Sequence, residues 1–402
     1  MLVAAPDNAP AAADTAMSSA NGFAHTRGGR FVTADGRSLI LKGINLGNWL
    51  MPEGYMFDLE VAKSPRAIYA ATERLLGRAE SEAFWRRFRQ TFIQREDIDL
   101  IASLGFNTVR VPLHYALFEG SADAEGWALL DQLITWCEAA GLYVVLDLHA
   151  APGGQTGINH DDGTGLPLLF YVSGFQNRTV AVWRAIAERY RDEPTVLGYD
   201  LLNEPIAPYH DVAYLNPRLE PLYRRLVSEI RAVDPNHVII LAGAQWSSNF
   251  GVFGPPFDDN LAYTYHVFWA TPIRATLRQF LNFHYLHGAP IWLGESGEAD
   301  DDWIEAFRKL HERYGIGWCF WTYKNMSSPA TVVSVRRPGG WDAVVALADG
   351  RLPGDAAMRR TAGAALEELL DNIKLENGTL RTGYIAALGL RLPAVAARTP
   401  QD

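Results

Sequence analysis

Residues 143–149 read Tyr-Val-Val-Leu-Asp-Leu-His, and residues 196–205 read Val-Leu-Gly-Tyr-Asp-Leu-Leu-Asn-Glu-Pro. Each is a short, nearly unbroken apolar run that ends in polar, chemically capable side chains. A strand with one wet face alternates polar and apolar residues, whereas a parallel strand covered on both faces is apolar throughout. Six other runs share this character: Leu39 to Leu46, Thr108 to Pro112, His237 to Ala242, Ala262 to His266, Pro290 to Glu295 and Gly317 to Tyr323. Amphipathic helical stretches separate most of them, at 93–104, 128–139, 179–190, 222–233, 272–287 and 302–314. Gly105 and Gly141 follow two of these, where a left-handed residue closes a helix. Strand–helix alternation repeated eight times predicts an α/β protein, a single (β/α)8 TIM barrel over residues 23–402.

Two regions fall outside the repeat. Residues 327–352 read as a long loop punctuated by Gly and Pro, and 354–374 as the closing helix. The tail after Asn377 has no strong pattern. The first 22 residues lack a basic start and an apolar run of signal-peptide length, and read as a disordered leader. No stretch is apolar enough to span a membrane.

The formal net charge is −10, which removes the basic footprint that a nucleic-acid partner requires. Arg86, Arg87 and Arg89 interleave with Trp85, Phe88 and Phe92 at helical spacing, and read as a solvated helix face. Cys137 and Cys319 read as small buried hydrophobes rather than a disulfide. No CxxC or HExxH spacing occurs, so no metal site and no cofactor is expected. The 12 Trp, 16 Tyr and 18 Phe suit either a large core or a sugar cleft, where a pyranose C–H face stacks on an aromatic ring.

The polar residues at the C-terminal ends of seven of the eight runs are those that a barrel gathers into its active site, the fifth run offering no obvious candidate, though Gln245 and Trp246 follow it closely. The residues are Asn48 and Glu53, Arg110, His149, Asn203 and Glu204, His266, Glu295 and Trp321. Singly, each has a bland reading: a strand-ending turn, a structural ion pair, a core histidine, a core tryptophan. Jointly, in barrel order, they point to a site. Glu204 and Glu295 end strands that oppose one another across a barrel mouth. Two carboxyl groups so placed are what glycoside hydrolysis needs, one as acid/base and one as nucleophile. Arg110 is placed to keep Glu295 ionised. Asn203 can bind the sugar 2-hydroxyl, His149 and His266 other hydroxyls, and Trp321 can floor the subsite. Trp246, Trp269 and Trp341 follow strands five, six and eight and could line outer subsites, or simply pack their loops. The glycines at 153, 154 and 157 suggest a loop that turns close to a bound sugar.

The motifs TVRVP (108–112), DLHAAPGG (147–154), LLNEP (201–205), TYHVF (264–268), WLGES (292–296) and CFWTYK (319–324) resemble those of glycoside hydrolase family 5, the cellulases and glucanases. The resemblance runs from strand two to strand eight. It implies that Glu204 is the acid/base and Glu295 the nucleophile of a retaining β-glycosidase. It also implies active-site roles for Arg110, His149, Asn203, His266 and Trp321. GINLGNWLMPEGY (43–55) and HAAPGGQTG (149–157) are similar to the exo-β-1,3-glucanase branch, with Glu53 matching a glutamate that holds sugar hydroxyls. One departure stands out: Phe268 occupies the place of a family tyrosine whose hydroxyl touches the nucleophile. Either another hydroxyl replaces it, with Tyr265 and Tyr323 as candidates, or the nucleophile is tuned differently.

The reading is therefore a retaining hydrolase of β-glucan, with β-1,3 or β-1,4 linkage, exo or endo action and oligomeric state left open. An endo-β-1,4-glucanase and a glycolipid-directed glycosidase are the alternatives within this class. A catalytically dead carbohydrate-binding barrel is the alternative outside it. The expected partner is an oligo- or polysaccharide, met outside the cytoplasm by a secreted or periplasmic protein. Neither a phosphate-binding GxxxxGK[ST] nor a GxSxG nucleophile motif occurs.

Overall fold

The structure is a computed structural model that describes residues 22–120, 124–350 and 355–392. The eight runs form eight strands: β1 (Lys42–Asn45), β2 (Thr108–His114), β3 (Tyr143–Ala150), β4 (Val196–Asp200), β5 (Val238–Ala242), β6 (Leu261–His266), β7 (Ile291–Glu295) and β8 (Gly317–Phe320). Each pairs in parallel with the next, and β8 returns to β1, so the sheet closes into a (β/α)8 barrel. The leader expected at 1–22 lies, apart from Gly22, outside the described residues.

Alternation along the strands sorts side chains between two cores. On β3, Val144, Leu146 and Leu148 pack outward against the helices. Val145 points inward and joins Leu197, Ile240, Ala262, Trp292 and Cys319 in the barrel floor. A three-stranded antiparallel sheet (His25–Arg27, Arg30–Val32, Ser38–Leu39) adds Phe31 to that floor. The floor is therefore apolar and filled, which leaves the upper, C-terminal layer for polar side chains.

The helices begin where short polar residues can satisfy their first N–H groups. Ser64, Asp211, Asp300 and Asp355 accept from the backbone N–H three residues on, each cap stabilising by about 1 kcal/mol. Gly105 and Gly141 close their helices in the left-handed region, with φ of 101° and 70°. Cys137 and Cys319 are free and buried.

Three expectations need correction. In the helix Arg78–Phe92, Arg86 and Arg87 are exposed, but Arg89 is buried and pairs with Glu125 at 2.7 Å. The region after β8 is not all loop. A short strand at Lys324–Asn325 pairs with Val333–Ser334, which pairs in turn with Thr379–Leu380 of the tail, and Trp341–Ala348 is a helix. Trp341, Val344 and Ala348 share its buried face, a spacing masked in the sequence by the preceding Gly339-Gly340. The tail also carries a helix, Thr382–Ala387.

Candidate active site

Arg110 is the hub of the upper barrel layer. It is fully buried, and its guanidinium spreads over four strands. Nε reaches Asp200 on β4 at 2.9 Å, Nη2 reaches Asp147 on β3 at 3.1 Å, and Nη1 contacts Glu295 at the end of β7. Asn45 Oδ1 on β1 and Asn203 Oδ1 accept its remaining N–H groups at 3.0 and 2.9 Å. Burial opposes the charge, but the three carboxylates hold the guanidinium protonated well above its ordinary value.

Glu295 reaches this hub through a bulge. Strict alternation would leave it on the same side as Leu293, facing the helices. The β6–β7 register slips between Leu293 and Glu295, and the extra residue turns the glutamate inward. Gly294 makes this possible: a Cβ there would lie 2.1 Å from Thr264 Oγ1. Burial raises the Glu295 carboxyl, while His266, Arg110 and His149 pull it back down.

Hydrogen-bond logic fixes the state of His149. Asn203 gives its oxygen to Arg110, so its amide nitrogen faces His149 Nε2 at 3.2 Å and donates. The imidazole proton therefore sits on Nδ1 and goes to Asp147 Oδ2, 2.7 Å away. Burial pushes His149 down to about 4, in keeping with a neutral ring. Asp147 and Asp200, neighbours on β3 and β4, are pushed up to about 7 by burial against the opposing pull of Arg110.

Glu204 follows β4 in a left-handed conformation, φ 45°. His266 Nδ1 lies 3.0 Å from its Oε1 and 3.7 Å from Glu295 Oε2. Burial drives His266 to about 3, so the ring between the two carboxyls is neutral. His160, on the loop after β3, brings Nε2 to 3.9 Å from Glu204 Oε2. Donor atoms of Glu204, His266 and Glu295 lie within 4.8 Å of one another.

The loop after β3 stitches this arrangement together. Gln155 is fully buried; its Nε2 donates to His149 O and Asn203 O at 2.7 and 2.8 Å, and its Oε1 accepts from Ala151 N. Thr156 Oγ1 donates to Glu204 O at 2.9 Å. Asp161 accepts the N–H groups of Thr156, Gly157 and Gly163. The glycines serve this internal packing. A Cβ at Gly153 would strike Phe175, one at Gly154 would press on Asp161, and one at Gly157 would strike His210 and Pro167.

A cavity of about 630 Å³ opens above these groups. Glu53, His149, Asn203, Glu204, His266, Glu295 and Trp321 all line it, while Arg110 lies beneath. Trp321 stacks on His149 with ring centres 5.7 Å apart and donates to Tyr55 at 2.7 Å. Burial and the charge of Glu295 raise the Glu53 carboxyl well above the usual range. Tyr55, His160, Phe268 and Glu298 complete the wall. No role is assigned to Tyr55, His160 or Glu298 on sequence grounds. Tyr55 sits in a recognisable motif, but the other two sit in loops without any signal.

Two expectations fail here. Trp341 lines no part of this cavity; it is buried and donates to Phe57 O at 2.9 Å. Neither candidate hydroxyl replaces the missing tyrosine. Tyr323 donates to Asp97 at 2.8 Å, and Tyr265 stacks on Phe280 at 4.0 Å, both on the outward side of the barrel. Trp246 and Trp269 do line the mouth.

Among the described residues, two donor clusters have metal-like spacing: Asp147, His149, Glu295 and Glu204, His266, Glu295. Arg110 contacts Asp147 and Glu295, so a fixed cation already takes the place that a metal ion would fill in the first cluster.

The family model for cellulases, glycosyl hydrolase family 5, matches residues 72–327. The chain belongs to glycosyl hydrolase family 5. This O-glycosyl hydrolase, which acts on carbohydrate, is 31% identical over 341 residues to a Beta-xylosidase of Phanerodontia chrysosporium, covering 74% of this chain and 70% of that protein. It is 26% identical over 392 residues to a Probable glucan 1,3-beta-glucosidase A of Aspergillus clavatus, covering 81% and 90% of the two chains. With other proteins of that name the alignment spans about half of either chain. The family 5 barrel superposes on an endogalactoceramidase structure with TM-score 0.59 at 20% identity, over 91% of this chain and 84% of that one.

Proposed function

We propose that this family 5 enzyme cleaves β-glucan with retention of configuration, Glu295 acting as nucleophile and Glu204 as acid/base. The observation that carries this reading is the approach of the two carboxyl groups, with oxygens within 4.8 Å. Retaining enzymes hold their carboxyls about 5–5.5 Å apart, too close for a water to attack from the far side. Glu295 Oε attacks the anomeric carbon while the Glu204 proton passes to the leaving oxygen. A water then gives its proton to Glu204 and its oxygen to the anomeric carbon, releasing Glu295. Arg110 steadies the Glu295 carboxylate, and neutral His266 holds both carboxyls in reach of one bond.

β-Glucan is favoured by the 43–55 and 149–157 motifs and by relatives named glucan 1,3-beta-glucosidase. Exo action is supported by the wall of Glu53, Tyr55 and Glu298, which lines one side of the cavity with groups suited to the hydroxyls of a terminal sugar. A polymeric substrate places the enzyme outside the cytoplasm; among the described residues no helix is long and apolar enough to cross a membrane.

The test is a product time course on laminarin, mixed-linkage glucan, soluble cellulose, mannan and an aryl β-xyloside, with Glu295→Gln as control. Glucose alone from laminarin, first released as the β-anomer by NMR, is the expected result. An oligosaccharide ladder from cellulose would make it an endoglucanase. First release of the α-anomer would overturn the retaining mechanism. No product from any substrate would turn attention to glycolipids, and then to a binding role.

A further inference from the structure

Glu204 has two carboxyl oxygens, and they have different neighbours. His266 Nδ1 lies 3.0 Å from Oε1, and His160 Nε2 lies 3.9 Å from Oε2. A neutral His266 that donates to Oε1 leaves Oε2 to carry the proton that an acid must give away. The nitrogen facing that oxygen is buried and makes no hydrogen bond among the described residues. Native folds keep few buried polar atoms without partners, because each gives up water for nothing. Hydrogen bonds used in catalysis are often long in the free enzyme and tighten in the complex, so His160 is poised for a contact with Oε2. Burial holds His160 below its ordinary value, in keeping with a neutral ring.

The chain on both sides of His160 is fixed. Before and after it, Asp161 gathers the N–H groups of Thr156, Gly157 and Gly163. Asp162 then ties the loop to two other elements. Its Oδ1 accepts from Arg66 N at 2.9 Å, and Arg66 Nη2 donates to its carbonyl at 2.7 Å, on the helix Pro65–Leu76. Its Oδ2 lies 2.8 Å from His114 Nε2 at the end of β2. His114 Nδ1 accepts from Ala116 N, so the His114 proton sits on Nε2 and goes to Asp162. The same loop holds the Glu204 backbone through Thr156 Oγ1. One short segment therefore sets both the carboxyl and the ring that faces it.

We propose that His160 is a positioning residue for the acid/base, its Nε2 holding Glu204 Oε2 over the leaving oxygen in the first step and over the attacking water in the second. This rests on the assignment of Glu204 and Glu295 above. A carboxyl oxygen keeps acceptor capacity whether or not it carries a proton. One N–H at Nε2 thus serves Glu204 in both states, and His160 itself exchanges no proton.

The test pairs two aryl glucosides of similar shape. Phenyl β-glucoside needs a proton on its departing oxygen, and 2,4-dinitrophenyl β-glucoside does not. Wild type, His160→Phe, His160→Asn, His160→Gln and Glu204→Ala are measured with and without sodium azide, a nucleophile that needs no base. In His160→Phe, kcat/KM on the phenyl glucoside should fall about tenfold to a hundredfold. On the dinitrophenyl glucoside kcat/KM should hold near the wild-type value, while kcat, limited by attack of water, falls and is restored by azide. His160→Gln, whose amide nitrogen can reach the place of Nε2, should recover most of the loss; the shorter Asn should recover little. Glu204→Ala should show the same pattern more steeply. Equal falls on both glucosides in His160→Phe would mean a merely structural residue and overturn the proposal, as would a loss that azide leaves unchanged. Asn and Gln variants of equal activity would overturn the contact through Nε2. A Glu204→Ala protein that treats both glucosides alike and ignores azide would overturn the acid/base assignment, and the proposal with it. The expected pattern in Glu204→Ala beside wild-type values in His160→Phe would overturn the proposal alone.

Discussion

His266 Nδ1 lies 3.0 Å from Glu204 Oε1, and the same nitrogen is 3.7 Å from Glu295 Oε2. A neutral ring aimed at two carboxyls carries its proton on that nitrogen, since a lone pair there would be repelled by both. The imidazole thus acts as a fixed donor that stabilises the charged form of Glu295. His266→Ala should lower kcat about 100-fold and, by raising the Glu295 carboxyl, move the acidic limb of the pH profile to higher pH. A profile lower in height but unmoved along the pH axis would refute this role.

Gln155 is expected to act through backbone alone. Gln155→Leu keeps the volume but strands His149 O, Asn203 O and Ala151 N inside the protein. Three buried groups left without partners should cost about 3 kcal/mol or more. Urea unfolding should show that loss. The same variant should lose kcat rather than raise KM, because Asn203 and Glu204 drift while the cavity wall stays.

The bulge at Gly294 can be tested by a double-mutant cycle. Gly294→Ala alone drives a methyl into Thr264 Oγ1 and should cost about 1–3 kcal/mol, with activity lost as Glu295 is displaced. Removing that oxygen with Thr264→Ala should restore part of the stability, giving an interaction energy of about 1 kcal/mol or more. Strictly additive losses would mean that the two positions do not meet.

Asp147 and Asp200 carry a pH signature. Each is pushed from 3.8 up to about 7 by burial. Between about pH 4 and pH 7 the folded state therefore holds protons that the unfolded chain has released. Their contribution is present in acid and is lost as pH rises through the folded value. Asp200→Asn removes one such group, so its stability should fall less than that of wild type between pH 4.5 and 7.5. A tenfold difference in proton affinity between the folded and unfolded chain corresponds to about 1.4 kcal/mol. Parallel curves of melting temperature against pH for the two proteins would sink this account.

Much of the barrel was legible because its signal is local. Parallel strands covered on both faces are apolar along their whole length, and the polar residues that end most runs mark the mouth. Arg110, His149, Glu204 and Glu295 could be placed on one rim from strand order alone. The amphipathic helix Trp341–Ala348 was missed because Gly339-Gly340 and the flanking prolines masked its short apolar face.

What the sequence determined by itself is the barrel and the polar residues at its strand ends, since hydrophobic period and strand order are properties of the chain. The tertiary structure alone decided that Glu295 faces inward, because the bulge depends on the gap that Gly294 leaves beside Thr264 Oγ1 on the next strand. It likewise decided that Tyr323 serves Asp97 rather than the site, and that Trp341 is core. It brought in Tyr55, His160 and Glu298, whose loops carry no period. Several of those loops take left-handed backbone at non-glycine residues, a conformation that only the surrounding packing, and no local preference, can impose.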